Sequence, residues 1–279
     1  MPSYVVTGAS RGLGYEFIRQ IAADPSNIAI GLVRNKAAAD EKAKAQGLTN
    51  AHFVEAQYTD LASLKKAAEE VKALTGGTLN YLINNAASVS AVTELRTLGD
   101  FHDDFEKLEA DILDQLTVNL LGVIKTIEAF TPLLKSTPST PSSPKKVITI
   151  TSGMSDTSLI NAVELSYAAP YAISKGAVNV AIAKYNALYK SEGILFMGIC
   201  PGYVATERQT QEITDKTDLE NLQKLGAQFA RFAEANGGGG SGQISPEESV
   251  RGVLGLAHRA TVEEFGGAFV SRFGNKEWF

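Results

Sequence analysis

Short runs of apolar, largely β-branched residues alternate along the chain with longer stretches in which apolar residues recur at helical spacing. The short runs are Tyr4–Thr7, Ile28–Arg34, His52–Gln57, Leu79–Asn84, Lys146–Ser152, Ile194–Cys200 and Ala268–Ser271. Most are apolar almost throughout, as expected of strands covered on both faces. Gly14–Ala23, Leu61–Leu74, Ile112–Lys135, Tyr171–Ser191 and Pro246–Arg259 read as helices, with Asp60 and Ser245 as N-caps and Pro246 at a first helical position. This alternation predicts an α/β protein: a doubly wound, parallel, seven-stranded sheet with helices on both faces, in one domain spanning 1–279.

Two segments interrupt the rhythm. Ser136–Lys145 carries prolines at 138, 141 and 144 and reads as an extended surface loop. A helical stretch, Leu219–Asn236, runs into Gly237–Gly242, whose GGGGSG sequence resembles a flexible linker, native or engineered. Residues 207–242 are therefore expected to form a mobile substrate flap. Hydrophobic residues make up 44% and charged residues 20% of the chain, the balance of a soluble globular protein. A net charge of −5 argues against nucleic acid or an anionic membrane as the main partner. Cys200 is the single cysteine, which excludes an internal disulfide, and His52, His102 and His258 are too dispersed to suggest a metal site. No secretory leader precedes Tyr4 and no apolar run approaches a membrane span, so a cytoplasmic location is expected.

The first strand runs directly into Thr7-Gly8-Ala9-Ser10-Arg11-Gly12-Leu13-Gly14, followed by a helix. Glycines let a backbone turn sharply and approach a pyrophosphate, while the helix N-terminus offers free N–H groups to the anion. In this strand-turn-helix setting, the Rossmann-type reading of a bound dinucleotide is favoured over a glycine turn without ligand. An acid at the end of the second strand would select NAD, yet the sequence there is Val33-Arg34-Asn35-Lys36. Arg34 and Arg11 can clamp a 2′-phosphate, which points to NADP(H).

Tyr171 and Lys175 stand at i and i+4 on one helix face, Ser152 ends the fifth strand, and Pro201-Gly202 follow the sixth. All lie at the carboxyl edge of the expected sheet, where open α/β folds bind ligands. With TGASRGLG at 7–14, NNAA at 84–87, Asn119 in VNLLG, ITS ending at Ser152, YAISK at 171–175 and PGYVAT at 201–206, the chain resembles the short-chain dehydrogenase/reductase family along almost its whole length.

That resemblance implies an NADP(H)-dependent oxidoreductase that reduces a ketone or aldehyde. Tyr171 would be the proton donor, its phenolate favoured by the Lys175 ammonium, and Ser152 would hydrogen-bond the carbonyl oxygen. It further implies that Lys175 holds the nicotinamide ribose and that Asn119 positions a water. The cofactor would touch Gly8, Ser10, Arg11, Gly12, Leu13, Gly14, Arg34, Gln57, Tyr58, Asn85, Ala86, Tyr171 and Lys175, with Pro201, Gly202, Val204 and Thr206 covering the nicotinamide. Ala87 stands where the family usually has glycine, and a left-handed backbone there would be slightly altered. Met154, Leu159, Ile160, Val163, Tyr167, Tyr203, Phe229 and Phe232 either form an apolar substrate pocket or pack the domain edge. The ending FGNKEWF resembles the carbonyl-reductase-like branch, and the resemblance implies that the Ile112–Lys135 and Tyr171–Ser191 helices could form the family's usual interface in a homodimer. Two other readings stay open: an NADP-binding regulatory or scaffold protein without turnover, and a non-redox isomerase or dehydratase.

Overall fold

A computed structural model describes the chain except residues 139, 141–142, 206–214, 236–242 and 279, and the side chains of 232–235. Strands β1 (Ser3–Thr7), β2 (Ile28–Val33), β3 (Ala51–Glu55), β4 (Tyr81–Asn84), β5 (Lys145–Ile150), β6 (Ile194–Cys200) and β7 (Phe269–Ser271) form one sheet. Its order is β3-β2-β1-β4-β5-β6-β7, and every neighbouring pair is parallel. The expected doubly wound sheet is what the chain builds.

The helices are α1 (Gly12–Ala22), α2 (Lys36–Ala45), α3 (Leu61–Thr75), α4 (Phe105–Leu116), α5 (Gly122–Ser136), α6 (Thr157–Val163), α7 (Ala169–Tyr189), α8 (Lys216–Ala235), α9 (Pro246–Arg259) and α10 (Val262–Phe265). Side-chain alternation along the strands splits the core in two. Tyr4, Val6 and Ile83 face a cluster with Phe17, Ile18 and Val253, whereas Val5 and Leu82 face one with Leu64, Ile127 and Val178. Asp60 and Ser245 cap α3 and α9 as expected, accepting from the N–H groups of Ala62 and Glu248.

The single helix read over Ile112–Lys135 is two, α4 and α5, joined by a π-helical turn at Thr117–Leu121. The run Phe105–Ser136 is long and apolar enough to cross a membrane by composition, yet Val123, Ile127, Phe130, Leu133 and Leu134 are buried in the second core cluster. Helix α8 lies within the expected flap. It is tied down by Arg96, whose guanidinium meets Asp215 at 3.1 Å and Asp218 at 2.9 Å, and by Asn221, which donates to the Leu95 carbonyl at 2.8 Å. The Gly237–Gly242 stretch lies outside the described residues.

Candidate active site

The strand order reverses between β1 and β4, so the turns that follow these two strands flank a crevice at the carboxyl edge. The β1 turn is shaped by its glycines. Gly8 and Gly12 have φ of 67° and 54°, and a Cβ on Gly14 would lie 2.1 Å from the Gly8 carbonyl oxygen. Arg11, at the N-cap of α1, makes no side-chain cap, so the first N–H groups of the helix stay open to an anion. Gly8, Ser10 and Arg11 are exposed, with Gly12 and Leu13 half-buried beside them.

Thr7 fastens this turn to the one after β4: its Oγ1 accepts from the N–H groups of Asn85 and Ala86, each at 3.0 Å. The Asn85 side chain returns a bond to the Thr7 carbonyl at 3.0 Å, and Asn84 donates to Thr149 at 3.3 Å. Ala87 is not strained, because among the described residues Glu164 and Ala168 are the non-glycine ones with positive φ. At the end of β2, Arg34 is exposed. Gln57 is exposed too, whereas Tyr58 packs its ring against Gly122, and burial raises its phenol above the usual range. The Tyr58 hydroxyl finds no hydrogen-bond partner among the described residues.

Lys175 is buried in α7, donates from Nζ to the Ile150 carbonyl at 2.8 Å, and lies 5.7 Å from the centre of the Tyr171 ring. Burial pulls its ammonium down to about 8. The half-buried Tyr171 follows Ala168, whose left-handed backbone (φ 52°) starts α7 and is held by a bond from its N–H to the Arg96 carbonyl. Ser152 Oγ accepts from the Met154 N–H at 3.2 Å, which leaves its own proton to be donated. Below it, Ser155 donates to the Ser152 carbonyl at 2.7 Å and accepts from Asn179 at 2.9 Å.

Asn119 sits in the π turn, completely buried. It donates to the Ser88 carbonyl and to Ser174 Oγ, each at 2.9 Å, and accepts from the Ser88 N–H at 2.7 Å. The β4 turn, the π turn and α7 are thereby locked together. After β6, Pro201 accepts from Ser249 at 2.7 Å, Gly202 has φ of 88°, and Val204 bridges Ile244. Thr206 lies outside the described residues.

A hydroxyl in the turn after β5, and a phenol and an ammonium on α7, thus share one sheet edge with an uncapped, glycine-lined helix N-terminus. The sequence model of the short chain dehydrogenase family matches residues 3–217. The chain belongs to the short-chain dehydrogenase/reductase family. Short-chain dehydrogenase/reductase AacuF of Aspergillus aculeatus is 42% identical over 279 residues, the whole of both chains. Short chain dehydrogenase virK of Hypocrea virens is 40% identical over 282 aligned positions, again covering both chains fully. Among solved structures, an NADPH-bound carbonyl reductase from chicken fatty liver matches with a TM-score of 0.75 and 26% identity, covering 99% of this chain and 98% of its own. The short-chain dehydrogenase/reductase assignment makes the protein an oxidoreductase with a nicotinamide cofactor.

The residues after Ser152 divide between two tasks. Met154, Ile160 and Tyr167 line a cavity of about 560 Å³, together with Thr97, Ala172 and Ile173. Leu159 and Val163 instead pack with Leu165, Cys200 and Trp278, and Phe229 lies partly buried against them. The Tyr203 and Phe229 rings stand 6.0 Å apart; the Phe232 side chain lies outside the described residues. Sequence reasoning missed Ser88 and Ser174, which hold Asn119. Two small polar residues carry no periodic or motif signal of their own.

Proposed function

We propose that the protein reduces a ketone or aldehyde to an alcohol with NADPH. One observation carries this reading: Lys175 lies 5.7 Å from the Tyr171 ring, on the carboxyl edge of the sheet that also carries Ser152 and the glycine turn, and no acid follows β2, where Arg34 is exposed. The residues fit a dinucleotide. The uncapped start of α1 takes the pyrophosphate, a Cβ on Gly14 would close the turn, and Arg11 and Arg34 supply cations for a 2′-phosphate. When bound, the nicotinamide supplies hydride to the carbonyl carbon.

The rest is the work of this chain's own side chains. Ser152 directs its free proton at the carbonyl oxygen, where negative charge gathers. Tyr171 transfers its proton to the same oxygen, and the ammonium of Lys175 stabilises the phenolate left behind. The NADPH-bound carbonyl reductase among the structural relatives supports both the cofactor and the reaction.

The test is loss of reduced-nicotinamide absorbance with a panel of uncharged aldehydes and ketones. Tyr171→Phe should lower kcat by about 10²–10⁴-fold, the usual worth of a positioned proton donor. Its affinity for NADPH should stay near that of the wild type. A Phe variant that turns over normally, or a wild type that binds NADPH but consumes none, refutes the proposal.

A further inference from the structure

Ser152 owes its place to the turn it opens, and that turn is gripped from two sides by groups distant in sequence. Gly153 is buried; its N–H donates to Cys200 Sγ at 3.2 Å. On its other side, a Cβ would meet the Trp278 ring, 3.1 Å from Cδ2 and 3.2 Å from Cε3 and Cγ. A methyl here would press on the indole and force it to give by a few tenths of an ångström. Trp278 is 5% exposed and stacks on Phe269 of β7, ring centres 4.7 Å apart.

Two residues earlier, Lys276 Nζ donates to Asp156 Oδ2 at 3.1 Å. Asp156 closes the same turn and caps α6 by accepting from the N–H groups of Ser158 and Leu159. Lys276 also stands 4.6 Å from the centre of the Phe269 ring and 5.0 Å from that of Trp278. Asn275 is in turn fixed to β7 by two bonds with Ser271, each 2.8 Å.

We propose that the 275–278 segment is a clamp that positions Ser152, with Trp278 as its central side chain. The proposal rests on Ser152 acting as the hydrogen-bond donor to the carbonyl oxygen. A donor held by a short turn keeps its aim only while that turn is immobile, and a displacement near 1 Å lowers turnover by about 10²-fold.

Hydrogen–deuterium exchange and kinetics on the full chain separate the two claims. In Trp278→Ala, amides of 152–158 should exchange faster while those of 7–14 do not change. kcat should fall about 10- to 100-fold with the NADPH dissociation constant unaltered. Trp278→Phe, which keeps an aromatic face on Gly153, should restore both.

If Trp278→Ala does not fold, Gly153→Ala asks the same question by pressing a methyl on the ring, and adding Trp278→Phe should recover part of the loss. Unchanged exchange at 152–158 overturns the clamp. Faster exchange with wild-type kcat, or an equal loss of cofactor affinity, overturns the positioning role. If the wild type reduces no carbonyl, the functional reading fails, and the exchange result still decides whether the clamp exists.

Discussion

Arg34 follows β2 at the surface, and among the described residues no ion pair engages it. A guanidinium in this position is available to a phosphate and adds little to folding, as exposed charges generally do. Arg34→Asp should therefore leave Tm almost unchanged while moving preference from NADPH toward NADH. The scale is about 1–3 kcal/mol, or roughly 5- to 150-fold in the ratio of kcat/KM values, that of a charge-assisted hydrogen bond. An unaltered ratio would place the selecting contact elsewhere. This position, like Ser152, Tyr171 and Lys175, was singled out by residue type together with its place at the carboxyl edge of the expected sheet. Residue identity misleads where backbone geometry decides. Ala87 looked like a strained substitute for glycine, yet the left-handed backbone belongs to Ala168 and Glu164, whose identities give no hint of it.

Elements were legible where burial is periodic and obscure where it is not. Helix α2, KAAADEKAKA, buries only Ala39 and Ala43, so no apolar stripe announces it; its signal is the helix propensity of Ala, Lys and Glu. The short α6 and α10 were also missed, since each is little more than a capped turn. The end of α9 shows an element stabilised by a residue that the hydrophobic pattern assigned simply to a strand. Lys146, in β5, donates from Nζ to the carbonyls of Ala257, His258 and Ala260, each at 2.8 Å. It lies 5.7 Å from the Tyr81 ring centre, and Tyr81 stacks on Tyr4 at 4.4 Å. Lys146→Met would leave these carbonyls without their donor, at about 2–4 kcal/mol in urea unfolding. Burial pulls the ammonium from 10.5 to about 8. Between those values the unfolded chain retains a proton that the native state has released, so the stability of the wild type relative to the Met variant should rise with pH. A stability gap that is absent, or that narrows across this window, would show that the lysine does not hold the helix end.

At the scale of the molecule, the sheet order follows from a sequence of βαβ units whose crossovers have one hand, so the layers were readable before any coordinate. What the chain does with its outer surface was not, because an exposed apolar residue alone is ordinary. Here such residues collect on two helices packed side by side. Phe105 and Leu113 of α4 are 66% and 58% exposed, and Ile173, Val180 and Leu188 of α7 are 46%, 62% and 61% exposed. The spacings of seven and eight residues put the α7 group on one face, away from Ser174, Lys175, Val178 and Ile182, which face the core. An apolar face of this kind on a monomer invites a second copy, since two helices from each chain can bury about 800 Å² per partner, the size of an ordinary stable interface. Sedimentation at micromolar concentration should accordingly report about twice the 29.7 kDa of one chain. Val180→Asp combined with Leu113→Asp should return it to the single-chain mass, because a carboxylate at the centre of the interface cannot be buried unpaired. Both side chains are exposed, so NADPH consumption per chain should survive the change. A wild type that sediments as a single chain at that concentration would mean that the stripe is covered by something other than its own copy.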